Sequence, residues 1–152
     1  MEDKALLSTE EASGAEKAEL LIVIPAYNEA ENIERVVNHL TANFPQYDYV
    51  VVNDGSRDET AAICQRNGYN LLNLPVNLGL AGAFQAGLKY ADKYGYQYAV
   101  QLDGDGQHRP EYLESMIKKM EEGYDIVIGS RFVGEKKPFT MRMLGSNLLE
   151  MA

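Results

Sequence analysis

Short continuous apolar runs alternate along the chain with segments whose apolar residues recur every three or four positions. Leu20 to Ile24 is the first such run and stops at Pro25, the pattern of a strand covered on both faces. Tyr49–Val52, Leu71–Leu74, Tyr98–Leu102 and Asp125–Ile128 predict four further strands. Between the first two, Ile33, Val36, Val37 and Leu40 form a helical stripe, with Asn28 as N-cap and Glu31 completing a capping-box pattern. Ser56 to Glu59 repeats that signature before a helix that Gly68 stops. Leu80, Phe84, Leu88 and Ala91 mark a helix running to about Tyr94. Pro110 suits the first turn of another, whose inner face is Leu113, Met116, Ile117 and Met120 and which Gly123 ends.

Strands interleaved with helices predict an α/β fold with a mainly parallel sheet and right-handed crossovers. Met141, Leu144, Leu148 and Leu149 suggest one more helix, yet the chain reaches Ala152 without a stop signal. The expectation is therefore a domain truncated at its C-terminus. A helix that frays at a natural end is the alternative.

At 152 residues the chain makes one domain with a real core. Its net charge of −9 argues against a nucleic-acid partner. That charge is uneven. Residues 1–19 carry six acids against Lys4 and Lys17 and lack a sustained apolar face, so they read as a mobile acidic extension preceding a domain at 20–152. From Arg131 onward, basic residues outnumber acidic ones. The single Cys64 forms no internal disulfide, and neither a signal peptide nor a membrane-length apolar run is visible, so a cytoplasmic location is expected.

The candidate chemistry gathers at the predicted strand ends. Asp103 and Asp105 lie one residue apart after the fourth strand, where open α/β sheets place their ligand crevice. Hard divalent cations prefer oxygen ligands, and Mg²⁺ commonly takes one or two carboxylates together with substrate phosphates. The pair thus reads as a metal-assisted diphosphate site, to which Gln107 can add a neutral oxygen; a solvated acidic turn is the bland alternative. A calcium loop is excluded, because His108 stands where that loop requires Gly. Asp54, after the second strand, can accept from a base N–H or a ribose hydroxyl. Tyr27 can stack on a base, and the loop amides around it could approach an anion. Arg131, after the fifth strand, can grip a phosphate in bidentate fashion. Ser56 reads as a cap rather than a nucleophile, and Gly79 and Gly82 as sites of close packing. A receiver-like regulatory module is disfavoured, since no adjacent acid pair follows the first strand.

Taken in order, Ile24-Pro25-Ala26-Tyr27-Asn28-Glu29, Asn53-Asp54-Gly55-Ser56, Asn77-Leu78-Gly79, Asp103-Gly104-Asp105-Gly106-Gln107-His108 and Gly129-Ser130-Arg131-Phe132 resemble family 2 glycosyltransferases, in particular the dolichyl-phosphate mannosyltransferase-like branch. The likeness spans about residues 20–149. It implies a three-layer, Rossmann-like GT-A fold and inverting sugar transfer from a UDP- or GDP-sugar to a polyprenyl phosphate or a glycan. By the same resemblance Pro25, Ala26, Tyr27, Glu29, Asp54, Asp103, Gly104, Asp105 and Arg131 bind the nucleotide sugar. Asp103, Asp105 and Gln107 then surround Mg²⁺ or Mn²⁺. Such families often carry Asp where Asn53 stands here. The acceptor-binding half, with any general base, is expected beyond Ala152, so a nucleotide-sugar-binding domain without turnover is the alternative function. A lipid acceptor would bring peripheral association with the inner face of the cell membrane, and an open sheet edge could recruit a second copy.

Overall fold

In a computed structural model, the structure describes residues 19–103 and 110–128. Contacts divide the chain into two compact units, residues 1–111 and 112–152. The acidic extension over residues 1–18, the C-terminal helix expected around Met141 to Leu149, and Gly104, Asp105, Gln107 and Arg131 lie outside the described residues.

The first unit is built on four parallel strands, β1 (Leu20–Ala26), β2 (Asp48–Asn53), β3 (Leu71–Asn73) and β4 (Tyr98–Gln101), in spatial order β3-β2-β1-β4. Every residue of β1 is buried, as its unbroken apolar run requires. Pro25 was expected to end this strand but lies inside it. The physical reason is parity. Val23 O accepts from Leu102 N on the β4 side, whereas Ala26 O accepts from Asp54 N on the β2 side. Pro25 shares the parity of Val23, and the ladder with β4 ends at the Val23–Gln101 pair, so its missing N–H removes no sheet bond.

Helices α1 (Ile33–Asn43) and α2 (Thr60–Arg66) pack on one another, and α2 lies on β2 and β3. Helix α3 (Gly79–Lys93) lies on β1, β2 and β4. The α3 side of the sheet contributes Leu21, Val23, Val50 and Val52, which cluster with Ala83 and Ala91. Alternation sends Ile22, Ile24 and Val51 to the opposite face, and these are fully buried too. Right-handed crossovers put α1 and α2 on that face, where α1 buries Ile33, Val36, Val37 and Leu40 as its spacing predicts. The result is a three-layer α/β/α arrangement.

Helix α3 departs from expectation. Its buried residues are Ala83, Gly87 and Ala91, while Leu80 and Leu88 are exposed and Phe84 is half-buried. A small-residue face lets the helix approach the sheet closely, and a Cβ at Gly87 would collide with both methyl carbons of buried Val23. Both predicted capping boxes also fail. Helix α1 starts after Asn32 and α2 after Glu59, neither with a side-chain cap bond. Asn28 and Ser56 are drawn away into contacts between loops, described below.

In the second unit, α4 (Leu113–Glu121) follows a 3₁₀ turn at Pro110–Tyr112 and ends before Gly123, whose φ is +100°. Leu113 is buried and Met116, Ile117 and Met120 are half-buried along the expected stripe. The predicted fifth strand is not formed. Residues 125–128 join no ladder among the described residues, and Ile126 and Ile128 are 78% and 84% exposed. An apolar run supplies a strand's side chains but not the neighbouring backbone that a ladder requires. No described helix is long and apolar enough to cross a membrane.

Gly87→Ala is expected to lower the unfolding free energy by about 1–3 kcal/mol, because overpacking outweighs Ala's better helix propensity. In a Val23→Ala background the same change should be neutral or stabilising. Urea unfolding of the four proteins of this cycle measures it, and an unchanged cost in the Val23→Ala background contradicts the close approach.

Candidate functional site

Strand order fixes where a ligand can enter. From β1 the chain steps outward through β2 to β3, then α3 carries it back across the sheet to β4 on the other side of β1. The order therefore reverses between β1 and β4, and the crevice outside their carboxyl ends is the switch point of an open α/β sheet. A cavity of about 200 Å³ opens there, lined by Pro25, Ala26, Tyr27, Glu29, Asp54, Leu80, Ala83 and Asp103. Six of these are among the site residues named from sequence, delivered by the ends of three different strands. Leu80 and Ala83 were not anticipated as wall residues. Leu80 is one of the apolar residues whose spacing marks α3, and its place in the first turn of that helix puts it at the rim.

Tyr27 is 44% exposed, so its ring is accessible to a ligand. Asp103 accepts from Gln101 Nε2 at 2.9 Å. Asp54 is only 3% exposed and its neighbourhood is tightly specified. One carboxylate oxygen accepts from Leu78 N at 2.6 Å, and its carbonyl accepts from Asn77 Nδ2 at 3.0 Å. These bonds hold the β2 end against the loop that starts α3. Gly55 makes the approach feasible: its φ is +67°, and a Cβ there would lie 2.6 Å from Asn77 N. Gly79 also has a positive φ, +78°, but open space around its Cβ position; its need is conformational rather than one of packing. At Gly82 a Cβ would strike the Leu78 side chain, as close packing predicts.

Asn53 is buried and donates from Nδ2 to Asn73 Oδ1, while its Oδ1 accepts from Ser56 N at 3.2 Å. The Asn53 amide, with one donor and one acceptor end, satisfies both partners as they are oriented here.

The β1–α1 loop makes its bonds across space rather than to a ligand. Asn28 adopts a φ of +54°, a left-handed conformation that Asn tolerates better than most residues. Its N–H donates to Ser56 Oγ at 3.0 Å, and its Oδ1 accepts from Arg57 N at 2.9 Å. Glu29 N donates to Thr60 Oγ1 at 2.9 Å, and Ala30 N to Asp58 Oδ2 at 3.1 Å. Three consecutive amides are thus occupied by side chains of residues 56–60. These three amides are therefore engaged within the protein. Asp58 Oδ1 accepts from Thr60 N, the amide of the first residue of α2, at 3.0 Å, which places its negative charge at the positive end of that helix. Desolvation raises the Asp58 pKa, but hydrogen bonds from the Thr60 hydroxyl and from the Thr60 and Ala30 amides together outweigh it and hold the carboxyl below its ordinary range.

Among the described residues, the cavity wall carries three carboxylates, Glu29, Asp54 and Asp103, and no cationic side chain. It suits hydroxyl and N–H donors or a cation, and repels a bare phosphate. Among the described residues no three metal-ligating side chains come together. Of the expected metal ligands, Asp103 alone is described, and it offers the hard oxygen donor that Mg²⁺ or Mn²⁺ prefers.

Residues 21–150 match the profile of glycosyl transferase family 2. A polyprenol monophosphomannose synthase of Mycolicibacterium smegmatis is 34% identical over 119 residues, covering 74% of this chain and 45% of that protein. An undecaprenyl-phosphate mannosyltransferase of Micrococcus luteus is 34% identical over 119 residues, covering 75% and 49% respectively. The chain spans about half the length of these relatives. Among solved structures, the mannosyltransferase PcManGT from Pyrobaculum calidifontis in complex with GDP-Man and Mn²⁺ superposes with a TM-score of 0.57 at 22% identity, over 68% of this chain and 32% of that one. S. aureus TarS in complex with UDP-GlcNAc gives 0.54 at 25% identity, over 80% and 37%. The fold is that of the GT-A glycosyltransferases.

Because the folded-state pKa of Asp58 is depressed, its contribution to stability is present above the unfolded-state value of about 4 and is lost as pH falls through the folded value. Urea midpoints measured from pH 7 to pH 3 should fall less steeply in Asp58→Asn than in the parent chain. Parallel curves would show that the carboxylate does not hold the loop.

Proposed function

The chain belongs to glycosyl transferase family 2, and on that premise we propose that it binds the nucleotide-sugar donor of a sugar transfer to a polyprenyl phosphate, with a GDP-sugar, GDP-mannose foremost, as donor. One observation carries this reading: the cavity at the reversal of strand order, walled by Pro25, Ala26, Tyr27, Glu29, Asp54 and Asp103. The names of the two bacterial relatives point to a polyprenyl acceptor, and the GDP-Man complex of the archaeal neighbour points to the donor.

The roles follow from the chemistry of the wall. Tyr27 stacks on the base, and Glu29 and the remaining acceptor capacity of Asp54 receive N–H and O–H groups of the nucleoside. The diphosphate cannot face these carboxylates uncompensated. Asp103, Asp105 and Gln107 would hold Mg²⁺ or Mn²⁺, which when bound neutralises the charge developing on the departing nucleoside diphosphate. Arg131 takes a further phosphate oxygen.

In the transfer, an acceptor oxygen bonds to the anomeric carbon from the face opposite the leaving group. The bond from that carbon to the diphosphate breaks, inverting the centre and releasing the nucleoside diphosphate. A polyprenyl phosphate is already anionic and needs no general base to attack, whereas a glycan hydroxyl would need one. The lipid acceptor places the working protein at a membrane surface, by peripheral association with the inner face.

Titration calorimetry with GDP-mannose and UDP-GlcNAc, with and without Mn²⁺, tests the donor assignment. Binding should require Mn²⁺ and favour GDP-mannose; Asp105→Ala and Asp103→Asn should each weaken it about tenfold or more. Absence of binding to both nucleotides, or full Mn²⁺-dependent affinity in Asp105→Ala, overturns it. Release of GDP in the presence of a polyprenyl phosphate separates a transferase from a domain that only binds donor.

A further inference from the structure

Asp58 and Thr60 lie outside the cavity wall, yet the bonds of the β1–α1 loop converge on them. Thr60 is fully buried at the start of α2. Its hydroxyl donates to Asp58 Oδ1 and accepts from Glu29 N. The second oxygen of Asp58 accepts from Ala30 N, in a loop 28 positions earlier in the chain. A residue serving only its own helix would need the bond to Thr60 N alone. Here the carboxylate and hydroxyl together terminate two adjacent amides of a different loop, those of Ala30 and Glu29, and Glu29 lines the cavity with Tyr27 two positions before it.

Within the loop, Asn32 N and Ile33 N donate to Glu29 O and Asn32 Nδ2 donates to Glu29 Oε2 at 3.0 Å, bonds that fix the entry to α1 rather than the residues before Glu29. Asn28 sits at a φ of +54°, a conformation that costs energy in any residue with a Cβ. Its retention therefore depends on the bonds from the 56–60 segment. Ser56 and Arg57 bind Asn28 itself, and Asp58 and Thr60 bind the next two residues.

We propose that Asp58 and Thr60 are positioning residues for donor binding, a latch that sets the Tyr27–Glu29 wall of the cavity in its nucleoside-accepting shape. The proposal rests on the donor-site function proposed above and extends it to two residues that do not touch the donor. Neither residue needs to contact ligand for its loss to weaken binding. Removing the Thr60 hydroxyl leaves Glu29 N without its acceptor, and the loop must move to find another.

The test uses the whole chain and three variants: Thr60→Val, which keeps the shape and removes the hydroxyl; Thr60→Ser, which keeps the hydroxyl; and Asp58→Asn, which turns one acceptor oxygen into a donor. Amide hydrogen exchange reads the latch without ligand, and calorimetry with GDP-mannose and Mn²⁺ reads its consequence. Thr60→Val and Asp58→Asn should lose protection at Asn28, Glu29 and Ala30 and lose about tenfold or more in affinity, while Thr60→Ser retains both. Should Thr60→Val fail to fold, Asp58→Asn against Thr60→Ser decides the same point.

Loss of protection with affinity within about twofold of the parent overturns the positioning role alone. So does retained protection in both disruptive variants. A parent chain that binds no nucleotide sugar overturns the donor-site function, and with it this role, while the exchange data still report whether the latch exists.

Discussion

The burial of β1 on both faces and along both edges is the constraint on which the rest of this fold depends. All seven residues from Leu20 to Ala26 are buried, with β2 on one side and β4 on the other. A strand in that position must be apolar throughout its length, and the helices that cover it must lie on opposite faces. With β2 and β3 to one side, β4 is reached only by carrying the chain back across the sheet, through α3. That return separates the loops after β1 and β4 and opens the crevice between them. The close seat of α3, made possible by Gly87 above Val23, belongs to the same constraint.

Electrostatics then sets what the crevice accepts. Among the described residues the wall presents the carboxylates of Glu29, Asp54 and Asp103, a surface suited to N–H and O–H donors or to a cation. Membership of glycosyl transferase family 2 agrees with that chemistry, and the chain's span of about half the length of its relatives centres the proposal on donor binding.

The walls themselves are held by side-chain hydrogen bonds between the strand ends and loops. Asn53 joins the end of β2 to β3 through Asn73, Asp54 joins it to the start of α3 through Leu78 N, and Ser56, Asp58 and Thr60 join it to the β1–α1 loop. Gly55 makes this joining feasible, since only a residue without Cβ fits between Asp54 and the passing Asn77 backbone.

The order of elements was legible in the chain because it depends on local periodicity: four strands, four helices and the stripe of α1 follow from apolar spacing. The family resemblance followed from motifs at the strand ends. Four of the residues it implicates, Gly104, Asp105, Gln107 and Arg131, lie outside the described residues, and the other named site residues line one cavity. Sequence could not decide which acceptor each loop amide would choose. Asn28 and Ser56 have the composition of helix caps, but the partners that claim them are about thirty positions distant, and only folding brings those within reach. The face that α3 buries was hidden for a related reason. Local hydrophobicity favoured Leu80 and Leu88, whereas close contact with a packed sheet selected Ala83, Gly87 and Ala91, because separation between layers is a property of both surfaces. The fifth strand likewise depends on a neighbour, which an apolar run cannot specify by itself.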